Sequence, residues 1–199
     1  MTARASAQPV LVSDITQPTR AITTIFDQLW AAQSFATNGS GYFLTSINAL
    51  LGPRTGAPNI VAQLRADGPG APTGSLLTTF TVGAVPTGGP SMVSLTPASV
   101  VALAPSSTYW LVLGVAGADN FGWAYEDGNV STGPGSIGPY GYSTDGGATW
   151  PPGLFDTPNP YQFQVNVRPL NAVPEPATLG LVALGLLGTF VARRHAARR

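Results

Sequence analysis

The chain of 199 residues is long enough for one domain with a sizeable core, and its nine basic residues balance nine acidic ones. Cysteine and lysine are absent and the one histidine is His195. This excludes a disulfide framework, thiolate metal sites and cysteine nucleophiles, and leaves the body without the usual base of a nucleophilic triad. The zero net charge hides a division. Between Gln8 and Val173, Arg20, Arg54, Arg65 and Arg168 face Asp14, Asp27, Asp67, Asp119, Glu126, Asp127, Asp145 and Asp156, a net charge of −4. With no basic stripe to neutralise phosphates, no nucleic-acid partner is expected.

In chain order, residues 1–7 end in Ala5-Ser6-Ala7 before Gln8, a small-x-small cleavage pattern with no apolar stretch ahead of it. They read as the remnant of a signal peptide, and the true start is expected further upstream. Residues 8–31 read as an N-terminal lead-in. Only Ile22 to Ala32 and Pro97 to Leu103 have a pattern that admits a helix.

Residues 32–170 carry strand signals. In "NIVAQLRADG" Ile60, Ala62, Leu64 and Ala66 alternate with Val61, Gln63, Arg65 and Asp67, and in "YQFQVNVRP" Tyr161, Phe163, Val165 and Val167 alternate with Gln162, Gln164, Asn166 and Arg168. Period two puts one side of a sheet on a core and the other in water. "YFLTSINALLG", "SLLTTFTVG", "TYWLVLGVAG" and "FGWAYEDG" read as further strands, the third apolar enough for a sheet centre. Turn clusters at Asn38-Gly39, Asp67-Gly68-Pro69-Gly70, Gly88-Gly89-Pro90, Asp127-Gly128-Asn129 and Asp145-Gly146-Gly147 separate them. The predicted fold is all-β, an antiparallel, jelly-roll-like β-sandwich.

Three groups within the body bear on chemistry. Asp119-Asn120 and Glu126-Asp127-Gly128-Asn129 supply oxygen ligands of the kind that hold calcium in a loop, but the spacing matches no EF-hand, and Asx-rich turns explain it without a metal. Paired carboxylates for glycoside hydrolysis would need Glu126 and an aspartate brought to ~5–9 Å, and no pair is selected by the sequence; Glu126 beside Asp127 reads as a solvated turn. Phe121, Trp123 and Tyr125 share a strand face, followed by Tyr140, Tyr142 and Trp150. Such aromatics fill a sandwich core or form platforms that grip sugars, and exopolysaccharide is the partner the second reading implies. "STDGGATW", Ser143 to Trp150, resembles the Asp-box of sialidase-type propellers. That resemblance implies a structural turn, with Asp145 capping it, Gly146 and Gly147 at positive φ and Trp150 packed beneath. No enzymatic activity, cofactor or metal is expected.

Residues 171–199 differ in kind. Pro174-Glu175-Pro176 holds an extended segment, and the sixteen residues 177–192 contain no charge. Leu179, Leu181, Val182, Leu184, Leu186, Leu187, Phe190 and Val191 supply the hydrophobicity of a single transmembrane helix there. At about 1.5 Å per residue it reaches roughly 24 Å, short of the ~30 Å hydrocarbon layer, a deficit that snorkelling arginines and local thinning cover. Gly188 and Ala192 satisfy a small-xxx-small helix-pairing pattern. The tail 193–199, with Arg193, Arg194, Arg198 and Arg199, is expected to stay on the cytoplasmic side, which puts the body outside.

A Pro-Glu-Pro triplet, an apolar helix and an arginine cluster in that order resemble the PEP-CTERM sorting signal of exported Gram-negative bacterial proteins. The resemblance implies transient anchoring in the inner membrane, cleavage near Pro174 to Pro176 by an exosortase-like protease, and a body at the cell surface or in the extracellular matrix. "AQSFATNGSGYFLTSINALLG", "LAPSSTYWLVLG" and "YQFQVNV" resemble the choice-of-anchor domains that accompany such tails. That likeness implies fold and location, with no activity to carry over.

Overall fold

Tyr42 to Thr55 form the longest strand among the described residues, and most of the sheet is arranged around it. A computed structural model describes residues 8–128, 130–151, 155–156 and 159–170. Its strands are β1 (Val10–Ser13), β2 (Thr19–Ile25), β3 (Trp30–Ala36), β4 (Tyr42–Thr55), β5 (Ile60–Ala66), β6 (Leu76–Val82) and β7 (Ser91–Pro97). There follow β8 (Val101–Leu103), β9 (Thr108–Val115), β10 (Asn120–Glu126), β11 (Ser136–Ser143), β12 (Phe155–Asp156) and β13 (Phe163–Pro169). Among the described residues there is no helix, and none long and apolar enough to cross a membrane.

All pairings between these strands are antiparallel. One layer runs β1-β13-β4-β7, and the other β12-β11-β3-β9-β5. β6 belongs to both, since Leu76, Thr78 and Thr79 pair with β5 while Phe80, Thr81 and Val82 pair with β7. On the opposite side, reciprocal Ser13–Thr132 backbone bonds of 2.9 and 2.8 Å and a Gly135 N–H to Leu11 carbonyl bond of 2.8 Å bring the approach to β11 onto β1. The sheet is thereby nearly closed into a barrel.

β4 is long enough to serve two neighbours along one edge. Tyr42 to Ala49 pair with β13, and Leu51 to Thr55 pair with β10, which carries β2 on its outer side. Residues 8–31, read from sequence as a lead-in, thus contribute β1, β2 and the start of β3 to the sheet. The two stretches that admit a helix form no helix: Ile22 to Ala32 is the end of β2, a short link and the start of β3, and Pro97 to Leu103 is the end of β7, a short link and β8. Their Thr, Ile, Val and aromatic content suits a pleated surface, and cross-strand partners from other segments of the chain settle the matter.

The core lies between the layers. Phe163 of the first layer meets Phe35 of the second with ring centroids 6.1 Å apart, and Trp123, Tyr161 and Phe121 are fully buried. Each such side chain contributes about 1.5–3 kcal/mol of burial. β9 is apolar on both faces: Tyr109, Leu111, Leu113 and Val115 face inward, whereas Trp110 and Val112 pack outward with Ala32 and Trp150. An outer cover on the second layer is what lets "TYWLVLGV" run without alternation.

Candidate functional site

The Asp-box stretch forms a tight turn leaving β11. Ser143 Oγ donates to Asp145 Oδ1 at 2.6 Å, Asp145 Oδ1 accepts the Thr149 N–H at 2.9 Å, and the Thr149 hydroxyl donates to Asp145 Oδ2. These bonds to the Ser143 and Thr149 side chains hold the Asp145 carboxyl down to about 2. Gly146 and Gly147 have φ of 69° and 82°. The Gly147 N–H donates to Ser143 Oγ at 2.8 Å, and the Gly146 N–H ties the turn to the Gln28 carbonyl at 3.0 Å. Trp150 then folds back onto Trp110 and Val112, with Trp30 beside it. Trp30 is the member that sequence reasoning missed. Its ring lies against Gly114 of β9 and Gly147 of the turn, and its indole N–H donates to the Asp27 carbonyl at 3.0 Å.

The acidic residues separate into structural roles. Glu126 corrects the sequence reading: it is 2% exposed, and its two carboxylate oxygens accept the Gly128 and Val130 N–H groups of its own turn. Asp127, one residue past the end of β10, points into solvent, where its Oδ1 meets Arg20 at 2.6 Å. Asp119 accepts the Ala57 N–H at 3.0 Å, and Asn120 opens β10. Asn129 lies outside the described residues. Among the described residues no three His, Cys, Asp or Glu side chains converge as a metal would require.

Asp14, which nothing in the sequence marked, is fully buried at the end of β1. Its Oδ1 accepts the Phe163 N–H at 2.7 Å while Oδ2 has no hydrogen-bond partner. Burial pushes its carboxyl up to about 8, against the downward pull of the Phe163 and Asp14 backbone N–H groups, and the charge of nearby Glu126 adds to the rise.

The late aromatics turn inward. Phe121 and Trp123 are 0% exposed, and Trp123 stacks on Tyr161 with centroids 4.3 Å apart. Tyr125, Tyr140 and Tyr142 set their edges against the same Tyr161 ring at 6.3, 5.6 and 6.2 Å. The group is a core cluster, and Trp123 offers no platform to a sugar.

A cavity of about 370 Å³ opens at the barrel end where β4 hands over to β5. Ile60, Phe80, Val82 and Val85 form its apolar wall and Asn59 its rim, while Arg54 supplies its one charge. The Arg54 backbone N–H donates to the Pro86 carbonyl at 3.0 Å and its Nε–H to the Val85 carbonyl at 2.8 Å, so the guanidinium is held in place. Sequence reasoning missed this site because its lining comes from two segments, 54–60 and 80–85, that the pairing of β5 with β6 folds together.

Ala5-Ser6-Ala7, Pro174-Glu175-Pro176, the apolar run 177–192 and the arginine tail all lie outside the described residues. The last described bond before them is from the Leu170 N–H to the Gly41 carbonyl, 3.1 Å. None of the curated proteins compared matches the chain. A family model described as the PEP-CTERM protein-sorting motif matches residues 172–199. That match supports an exported protein, associated with the membrane through its C-terminus and processed by exosortase.

Proposed function

We propose that the chain is an exported, non-enzymatic surface or extracellular-matrix protein with a choice-of-anchor type β-sandwich body. Residues 177–192 hold it in the inner membrane with the body outside until an exosortase-like protease cuts near Pro174 to Pro176. The observation that carries this reading is the junction: the closing strand ends at Pro169 and the sorting motif begins at residue 172. A body whose last strand is already paired before the motif starts can be cut free without losing a fold element.

The test is expression with a C-terminal epitope in an exosortase-bearing host and in its exosortase deletion. The expected result is an extracellular body lacking the epitope in the first and an uncut, membrane-bound chain in the second, with Glu175→Ala also uncut. Intact, unattached chain in the cytosol of the first host overturns the reading.

A further inference from the structure

The geometry points to a binding site for a small monocarboxylate with an apolar body in the cavity headed by Arg54. A guanidinium stays charged at any pH a protein tolerates, and that of Arg54 is the one charge among the residues lining this cavity. Among the described residues the one ion pair is Arg20–Asp127, and Asp119 accepts the Ala57 N–H without forming an ion pair with Arg54. No described carboxylate stands within ion-pair distance of Arg54.

Its anchoring sets what can. With Nε–H committed to the Val85 carbonyl, the two terminal nitrogens are left to face a ligand. Two parallel N–H donors match the two oxygens of a carboxylate, and a single positive charge balances a monoanion better than a phosphate dianion. Beyond the guanidinium the wall is Ile60, Phe80, Val82 and Val85, which favours an apolar body. A cavity of about 370 Å³ at the mouth of a barrel suits a small molecule of that shape.

The site is independent of how the chain is exported, so its failure and the failure of the sorting reading are separable. The test titrates the full chain, in a mild nonionic detergent, with benzoate, the neutral isostere benzamide and inorganic phosphate, read by saturation-transfer NMR and by shifts of the Phe80 ring. Benzoate is expected to bind at least about tenfold more tightly than either of the others, and Arg54→Gln to remove that preference. Because Arg54→Gln also loses the Val85 contact, Ala84→Asp serves as a second variant. It places a carboxylate at the lining without touching the arginine and is expected to block benzoate equally. Equal binding of benzoate and benzamide, tighter binding of phosphate, or benzoate binding retained in a folded Ala84→Asp protein overturns the proposal.

Discussion

Asp14 and Phe163 lock the first strand to the last: Asp14 Oδ1 accepts the Phe163 N–H at 2.7 Å, and the Asp14 N–H donates back to the Phe163 carbonyl at 3.2 Å. The second carboxyl oxygen is buried without a partner, an arrangement that favours the neutral acid.

Stability is therefore expected to fall as pH rises. The folded value of about 8 lies above the ordinary 3.8, so the folded state holds a proton that the unfolded chain releases. The contribution is complete below pH 3.8 and is lost as pH climbs through 8. The gap caps the loss at roughly 6 kcal/mol. Urea midpoints measured from pH 4 to 9 should decline for the wild-type protein and stay nearly level for Asp14→Asn, which keeps the acceptor for Phe163. Parallel slopes in the two proteins would refute this.

Glu126 is expected to matter through its turn and through Asp14. Glu126→Gln replaces an oxygen that accepts the Gly128 or Val130 N–H with an amide that cannot, at a cost of about 1–3 kcal/mol. Removing its charge should also shift the Asp14 titration to lower pH, since Glu126 contributes to the rise. Urea midpoints followed against pH report both effects in one experiment.

The strands most legible in the sequence are those whose neighbours are local or uniform. Alternation at 161–169 places Phe163, Val165 and Val167 inward, and "TYWLVLGV" is indeed central, with neighbours β3 and β5. β2 and β3 were obscure because "TRAITTIFDQLWAAQ" lacks a clean period. Its conformation is fixed by partners at Phe121 to Glu126 and Ser136 to Ser143, which no local pattern can announce. Glu126 was misread since adjacent acids look like one polar turn, whereas Glu126 is the buried last residue of β10 and Asp127 stands exposed just beyond the strand. The Arg54 cavity was invisible for a related reason: Ile60 and Phe80 read simply as strand residues until β5 and β6 bring them beside a guanidinium on β4.

Gly114→Ala should disturb the outer cover of the second layer. A Cβ there would stand 2.1 Å from the Trp30 ring, which rests on the strand backbone. Displacing a packed indole in this way costs about 1–3 kcal/mol. The expected outcome is a lower urea midpoint with a change in near-ultraviolet circular dichroism. An unchanged near-ultraviolet spectrum would mean that Trp30 does not lie on that glycine.

Trp123→Ala is expected to act as a folding mutant. The side chain is fully buried and stacked on Tyr161, and truncating a core tryptophan costs about 3–5 kcal/mol. Calorimetry or urea unfolding should show a loss of that size. A loss under 1 kcal/mol would contradict the packing described for β10.

Asp145 governs the Trp150 turn with the opposite pH sense from Asp14. Its folded value of about 2 lies below the ordinary 3.8, so its hold on the turn is present above pH 3.8 and is lost as pH falls through 2. Trp150 is 9% exposed at the end of that turn. Acidification should therefore shift tryptophan emission to the red before the far-ultraviolet signal of the sheet is lost. Asp145→Ala should show the red shift already at neutral pH and no further acid step, because the Ser143 and Thr149 partners have lost their acceptor. In Trp150→Phe the acid step should vanish while the fold persists. If wild-type and Asp145→Ala emission titrate alike, the carboxylate is not what holds the indole against Trp110 and Val112.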